Sequence, residues 1–331
     1  MSTPIVSIVI PCYNHGAFVA AAVGSCLRQR DADIHVVIVD DGSDDGSTPQ
    51  TCLALQSDAV TVVRQQNKGL PAARNRGALE AQRHRADYLV FLDADDWIEP
   101  TFVRDLYDAI IGAGDDVSHA YCQERLVELG TGVWRVPEWD PLTLMVTNLH
   151  PVTALVRRDR FEAVGGFDES MTAGYEDWDF WLKFVERGWR GVRVREPLFV
   201  WRRHSHDTMV MQVIHNHEAL YRRIMENHRE LFAQRQTDLL VRSNMMLRRF
   251  DANWIDETGE PIPLRALRRA PEEYEQMVAV RLHHLVHRLI RLMPAPLGRL
   301  CERAIIAVRN AAPSPRRMLP DDLPTDRLHS A

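Results

Sequence analysis

The residues of this chain best equipped for chemistry are carboxylates gathered where apolar runs stop. Asp87-Tyr88-Leu89-Val90-Phe91-Leu92 empties into Asp93-Ala94-Asp95-Asp96. Three carboxylates so close repel one another unless a cation or a set of donors compensates them, and hard divalent cations prefer such oxygen ligands. The pattern points to Mg²⁺ or Mn²⁺, against the plainer reading of an Asp-rich turn before a helix begun by Pro100. A second apolar run, His35 to Val39, ends in Asp40-Asp41-Gly42-Ser43-Asp44-Asp45-Gly46-Ser47; a calcium-loop reading fails because, counted from Asp41, the twelfth residue is Cys52 and not Glu. In Asn67-Lys68-Gly69-Leu70-Pro71-Ala72-Ala73-Arg74-Asn75 a Gly turn precedes a Pro at a helix start, flanked by Lys68 and Arg74. Such a helix N-terminus suits phosphate, although a capped surface helix has the same appearance. Farther along, Glu176 and Asp177 open a helix whose Trp178, Trp181 and Val185 recur at helical spacing, so the aromatics anchor it while the acids face its open end. Acids are also ordinary caps there. His204 and His206 follow Trp201-Arg202-Arg203, and a His beside an acidic cation site can complete its coordination.

These groups need elements to hold them. Ile5 to Ile10 predicts a strand and Pro11-Cys12-Tyr13-Asn14 the turn after it, with Asn14 placed to cap a helix carrying Phe18, Val23 and Leu27. Further strands are expected over 35–39, 59–64 and 88–92. Strands alternating with helices imply an α/β chain with a right-handed parallel sheet. Its strand ends at Pro11, Asp40 and Asp93 then share one edge, where ligands of such sheets bind. Beyond Asp116 the alternation weakens to strand-like pieces at Val117–Cys122, Val133–Val136, Ala154–Arg157 and Leu198–Trp201. The chain divides on this reading into a catalytic domain over 1–210, a helical extension over 211–310 and a Pro-rich polar tail over 311–331, expected to be disordered.

With 331 residues, 45% hydrophobic and 26% charged, the chain reads as a globular protein of one large domain plus an appendage, and collagen-like or wholly disordered classes are excluded. A net charge of −6 offers no basic surface for nucleic acid. Five scattered cysteines without CxxC spacing read as reduced thiols of a cytoplasmic protein, and neither a secretory leader nor a spanning run is apparent. One helix, Pro271 to Met293, sets Val278, Leu282, Leu285 and Leu289 on one face and Arg281, His284, Arg288 and Arg291 on the other. A stripe of this kind fits peripheral contact with the inner face of a membrane, or packing on protein, including a second copy of the chain.

Taken in order, Ser7-Ile8-Val9-Ile10-Pro11-Cys12-Tyr13-Asn14, Val39-Asp40-Asp41-Gly42-Ser43, the 67–75 segment, Asp93-Ala94-Asp95 and Glu176-Asp177 resemble the inverting, GT-A-fold glycosyltransferases of family 2, of the bacterial polysaccharide type. The resemblance covers about residues 5 to 206. It implies a Rossmann-like, mostly parallel sheet flanked by helices, and a nucleotide-sugar donor, UDP-linked by default. On the same analogy Asp40 would hydrogen-bond the nucleobase, Pro11 and Tyr13 would line its slot, and Lys68, Arg74 and Asp93 would hold the nucleotide sugar. Asp93 and Asp95 would form the DxD motif that binds Mn²⁺ or Mg²⁺, with His204 as a further ligand. Asp177 would be the base, with Glu176 beside it, acting on the hydroxyl of a glycan, a lipid-linked saccharide or a protein. Two rivals stand beside this reading. A sugar-phosphate nucleotidyltransferase would carry a Gly-rich, Arg-bearing loop where this chain has Pro11-Cys12-Tyr13-Asn14. A non-catalytic nucleotide- or metal-binding module would release no nucleotide.

Overall fold

The computed structural model describes residues 3–128, 131–203 and 208–250, the side chains of 208–212, 214 and 245–250 excepted. His204, the helix expected over 271–293 and the 311–331 tail lie outside the described residues. One compact unit runs from Met1 to Met245. Its elements in order are β1 (Ile5–Cys12), α1 (Gly16–Leu27), β2 (Asp33–Asp40), α2 (Thr48–Ala54), β3 (Val60–Arg64), α3 (Leu70–Ala81), β4 (Tyr88–Phe91), β5 (Trp97–Ile98), α4 (Phe102–Ala113), β6 (Val117–Tyr121), β7 (Glu124–Glu128) and β8 (Gly132–Trp134). Then come α5 (Pro141–Val146), β9 (Leu155–Arg157), α6 (Arg158–Ala163), α7 (Glu176–Glu186), β10 (Arg190–Arg193), β11 (Phe199–Arg203), α8 (Thr208–Asn227), α9 (Arg229–Gln234) and α10 (Gln236–Phe250).

The main sheet has the order β10-β6-β9-β4-β1-β2-β3. Strands β4, β1, β2 and β3 are parallel neighbours, in registers such as Val9 with Phe91, Ile10 with Ile38 and Ile38 with Val62. Unbroken apolar runs suit these strands because both sheet faces are covered. Ile8, Ile10 and Val90 pack with Val19 and Val23 of α1 and Leu106 of α4. Val9, Leu89 and Phe91 pack on the opposite side with Ala78 and Ala81 of α3 and the aromatics of α7. α3 lies so close to β1 that a Cβ on Gly77 would come within 2.2 Å of Val9 Cγ1, so this helix requires glycine at that point.

Strand β9 enters antiparallel between β4 and β6, so the sheet is mixed and not uniformly parallel in its second half. A smaller sheet, β5-β11-β7-β8, pairs β7 parallel with β11 and antiparallel with β8. Short, half-polar β5, β7 and β10 carry too little period-two signal to be read from sequence; their partners define them. Position 210, where the sequence reading divides the chain, falls inside α8. Ile224 of that helix and Phe232 of α9 join the same apolar cluster as Trp178 and Phe180.

Candidate active site

The carboxyl ends of β1 and β2 are sewn together by Asn14. Instead of capping α1, Asn14 takes a left-handed conformation at φ 57°, and α1 starts after His15 without a side-chain cap. The Asn14 amide Nδ2 donates to Asp44 Oδ1 at 2.8 Å, while its Oδ1 accepts from the backbone N–H groups of Asp44 and Asp45 at 3.0 and 3.2 Å. The turn holds Tyr13 at the rim, 42% exposed, and leaves Pro11 buried within β1, paired with Val39. Asp40 is 1% exposed. Its Oδ1 accepts from Ser43 N at 2.9 Å; its Oδ2 lies 3.4 Å from Arg64 Nε but takes part in no hydrogen bond among the described residues.

Asp41, which sequence reasoning passed over, proves to be an anchor. Its Oδ1 accepts from Gln65 Nε2 at 2.8 Å and Lys68 N at 3.0 Å, and its Oδ2 from Gly69 N at 2.9 Å. The start of α3 is thereby tied to the end of β2, and part of the amide array expected to await a phosphate is occupied by this carboxylate. The available signal was an acid positioned to satisfy a helix N-terminus. Gly69 serves the turn because its φ of 88° suits a residue without a Cβ. Lys68 projects from an exposed position on the same turn.

Arg74 brings the distant acids together. It is 2% exposed, with Nη1 donating to Glu176 Oε1 at 2.7 Å and Nη2 to Asp93 Oδ1 at 2.9 Å, and its guanidinium lies 5.5 Å from the centre of the Phe167 ring. Burial alone would weaken its charge, and Asp93 and Glu176 more than restore it. Arg74, which the sequence reading places at the nucleotide, bonds two carboxylates in this structure. The forked donor set of Arg suits this bridge; a Lys ammonium would match it poorly.

The three acids after β4 have different surroundings. Asp96 is buried, and its Oδ1 accepts from Arg202 N at 2.8 Å. Arg202 Nε donates to the Asp95 carbonyl at 2.9 Å, so β11 clamps the loop from beneath. Burial, then the charges of Asp95 and Asp93, push the Asp96 carboxyl well above the usual range. Asp93 and Asp95 remain partly exposed. No three His, Cys, Asp or Glu side chains among the described residues already form a metal cage. Two partly exposed carboxylates nevertheless fit a hard cation that completes its shell with phosphate oxygens, because such ions are commonly bound through one or two carboxylates.

α7 begins after Tyr175, whose φ of 62° turns the chain sharply into the helix. Trp178, Phe180, Trp181 and Phe184 are at most 2% exposed and fix the helix in the core. Beneath Trp181, His119 and His150 are buried with Nε2 to Nε2 at 3.1 Å, and burial keeps both neutral, His150 at about 3. On this rigid base Asp177 Oδ1 accepts from Trp178 N at 2.7 Å and Oδ2 from Asn148 Nδ2 at 3.0 Å. Burial, and then Glu176, raise the Asp177 carboxyl to about 7, with Arg74 opposing. Asp179, in the same turn, is fully buried against His228 at 3.2 Å, Asn227 at 2.7 Å and Lys183 at 3.6 Å. It pins α7 to the α8–α9 junction. Glu124, also absent from the sequence expectations, is 1% exposed at the start of β7 and is pushed up to about 8 by burial and by Asp177.

The protein is thus of the GT-A class, a mostly parallel α/β sheet with acidic loops at its carboxyl edge. Residues 7–164 match the model of the family described as Glycosyl transferase family 2. Similar proteins include EpsH of Bacillus subtilis strain 168, 35% identical over 124 residues that cover 37% of this chain and 34% of EpsH. The glycosyltransferase GlyA of Streptococcus pneumoniae serotype 4 is 31% identical over 115 residues, 34% of this chain and 16% of GlyA. The chain therefore spans about a third or less of the length of these two relatives. Among solved structures, S. aureus TarS 1-349 in complex with UDP-GlcNAc superposes with a TM-score of 0.51 at 20% identity, over 63% of this chain and 61% of that one. That likeness is one of fold. Glu176 and Asp177 lie beyond the family match, and only the tertiary structure brings them to the edge where Asp93 sits.

Proposed function

We propose that this chain is a metal-dependent inverting glycosyltransferase that moves a sugar from a nucleotide sugar, UDP-linked in the first instance, to an acceptor hydroxyl, leaving a β-glycosidic bond. The observation that carries the reading is the meeting of Asp93 and Glu176 on Arg74, with a carboxyl raised to about 7 at the next residue, Asp177. A base that titrates near neutrality can be ionised at working pH and still accept a proton. Asp40, buried with one oxygen lacking a hydrogen bond among the described residues, would take a nucleobase N–H, and Tyr13 at the rim would cover the ring. Lys68 would meet the diphosphate from the exposed turn before α3. A divalent cation held by Asp93 and Asp95, with His204 as a further ligand, would offset the negative charge that builds on the leaving diphosphate.

In this reading Asp177 Oδ2, oriented by Asn148, takes the proton of the acceptor hydroxyl as its oxygen attacks the anomeric carbon from the face opposite the diphosphate. Glu176, held by Arg74, borders the acceptor side. A single displacement inverts the centre and needs no Ser or Cys nucleophile. The acceptor class is a glycan, lipid-linked or protein-borne, of the kind used in surface polysaccharide assembly. Cys12, Cys26, Cys52 and Cys122 are buried free thiols, which suits a cytoplasmic site of action, and among the described residues no helix is long and apolar enough to cross a membrane. The test is nucleotide release from a panel of UDP-, GDP- and dTDP-sugars with saccharide acceptors, with Mn²⁺ or EDTA. Acceptor-stimulated release that needs the cation and disappears in Asp95→Ala supports the proposal, provided the variant's circular dichroism is unchanged. Full release in EDTA refutes the metal assignment, and nucleotide binding without release would make the protein a binding module.

A further inference from the structure

Helix α8 has no role in the mechanism above, yet it is bonded to the structure on both sides of Asp177. The Asn148 that orients Asp177 Oδ2 comes from the end of α5 and the acid from the start of α7, so their 3.0 Å contact depends on how these two elements are held together. Helix α5 is six residues long, and a helix leaves its last carbonyls without partners of its own. Here the Leu144 carbonyl accepts from Trp178 Nε1 of α7, and the Met145 carbonyl accepts from the Tyr221 hydroxyl of α8 at 2.8 Å. The Tyr221 ring also lies 5.3 Å from that of Trp178. One helical turn earlier, on the same face of α8, the His217 ring stacks 5.9 Å from Tyr221, and its Nδ1 lies 2.7 Å from the Tyr175 hydroxyl. Tyr175 is the residue from which α7 starts, and its φ of 62° is one that a bulky side chain seldom adopts unless its surroundings hold it there. Neighbouring positions of one helix thus grip the chain three residues before Asn148 and two residues before Asp177.

We propose that Tyr221 and His217 of α8 are positioning residues for the Asp177 base: by tying the end of α5 and the entry to α7 to one helix, they set the Asn148–Asp177 hydrogen bond that aims the base at the acceptor. The inference rests on Asp177 being the base. Neither side chain bonds Asp177; each acts through the backbone that carries it or its partner. A group that must meet a reacting hydroxyl tolerates little error in placement, and such precision comes from the residues behind it. The Asn148 bond favours the charged form of Asp177, so loosening it leaves a base that ionises later. Glu176, Arg74 of α3 and Glu124 of β7 also bear on the Asp177 charge, and all three stay in place when α8 is altered.

Carboxyl ¹³C NMR of the full chain labelled at aspartate tests this without donor or acceptor. The Asp177 signal is the one missing in Asp177→Asn. Asn148→Ala removes the bond outright and should raise the Asp177 midpoint by about one unit. Tyr221→Phe, which keeps the ring and loses only the bond to the Met145 carbonyl, should raise it by part of that amount. His217→Ala should do the same, and Tyr175→Phe should match it, because it breaks the same bond while leaving the imidazole and any charge it carries. In an Asn148→Ala background none of these variants should raise the midpoint further, since residues acting through one contact are not additive. A midpoint unmoved in Tyr221→Phe or in Tyr175→Phe, even with a lower melting temperature, overturns the proposal, because it reduces α8 to a structural support. A rise equally large with and without Asn148 overturns it too. The kinetic counterpart is the acid limb of nucleotide release from UDP-N-acetylglucosamine, which should move to higher pH in Tyr221→Phe and further in Asn148→Ala; a limb left in place by Tyr221→Phe refutes the assignment. If wild type releases no nucleotide at any pH, the transferase reading fails, and the NMR titration still decides whether α8 positions Asp177.

Discussion

The most searching prediction concerns the pH dependence of Asp177. Its carboxyl is raised to about 7, first by burial and second by Glu176, against the pull of Arg74 and the hydrogen bonds from Trp178 N and Asn148. If the ionised form is the base, kcat/KM should rise tenfold per pH unit on the acid side and level off above about 7. At one unit below the midpoint about a tenth of the molecules would be competent. Asp177→Asn keeps shape but has one acceptor oxygen for the donors Trp178 N and Asn148 Nδ2 and cannot accept the proton, so turnover should fall by roughly 10²- to 10⁴-fold and the acid limb should flatten. Asn148→Ala removes a contact that favours the charged form, so its limb should move to higher pH. Stability supplies an independent check. The folded pKa lies above the unfolded one, so ionised Asp177 opposes folding; the penalty is absent below about pH 4, grows with pH and is complete once pH passes about 7. Asp177→Asn should therefore melt higher than wild type at pH 8 and alike at pH 3. The assay is initial-rate nucleotide release in constant-ionic-strength buffers, paired with thermal melts. An acid limb that persists unchanged in Asp177→Asn, or a wild-type midpoint near 4, would refute the reasoning.

The remaining expectations follow from contacts elsewhere in the unit. Asp40→Ala should weaken binding of UDP and of a UDP-sugar by the same factor, measured by calorimetry, because both share the base; loss confined to the sugar nucleotide contradicts the assignment. Asp41→Ala strips the acceptor from Gln65, Lys68 N and Gly69 N and should cost about 1–3 kcal/mol in urea unfolding, whereas an unchanged midpoint would deny its anchoring role. His228 would be lowered by burial, but hydrogen bonds and charges from Asp179 and Glu186 hold it up at about 9. Because the folded value lies above the unfolded one, this stabilisation, on the order of 3 kcal/mol, is present in full below about pH 6.5 and is lost as pH rises through about 9. His228→Gln should flatten the fall in melting temperature between pH 7 and 10, and a slope equal to wild type would count against it.

Much of this protein could be read from local sequence. The apolar runs of β1, β2 and β4, the Gly69-Leu70-Pro71 helix start and the aromatic spacing of α7 each follow from short-range patterns that the fold satisfies. The parallel sheet followed from their alternation, and with it the shared edge that holds Asp40 and Asp93. What required the tertiary structure was the assignment of tasks among similar acids. Asp41 and Asp96 look like their neighbours in sequence; one is spent on the backbone before α3 and the other on β11, and only long-range packing reveals this. Arg74, which sequence reasoning sent to the nucleotide, pairs across 102 positions with Glu176 because α3 and α7 cover the same face of the sheet. Glu124 stands on a short strand whose existence depends on β11 and β8, so its burial had no local signature. Periodicity reports which face of an element is apolar; which carboxylate keeps its proton depends on desolvation and on charges contributed by other elements, and those exist only once the chain has folded.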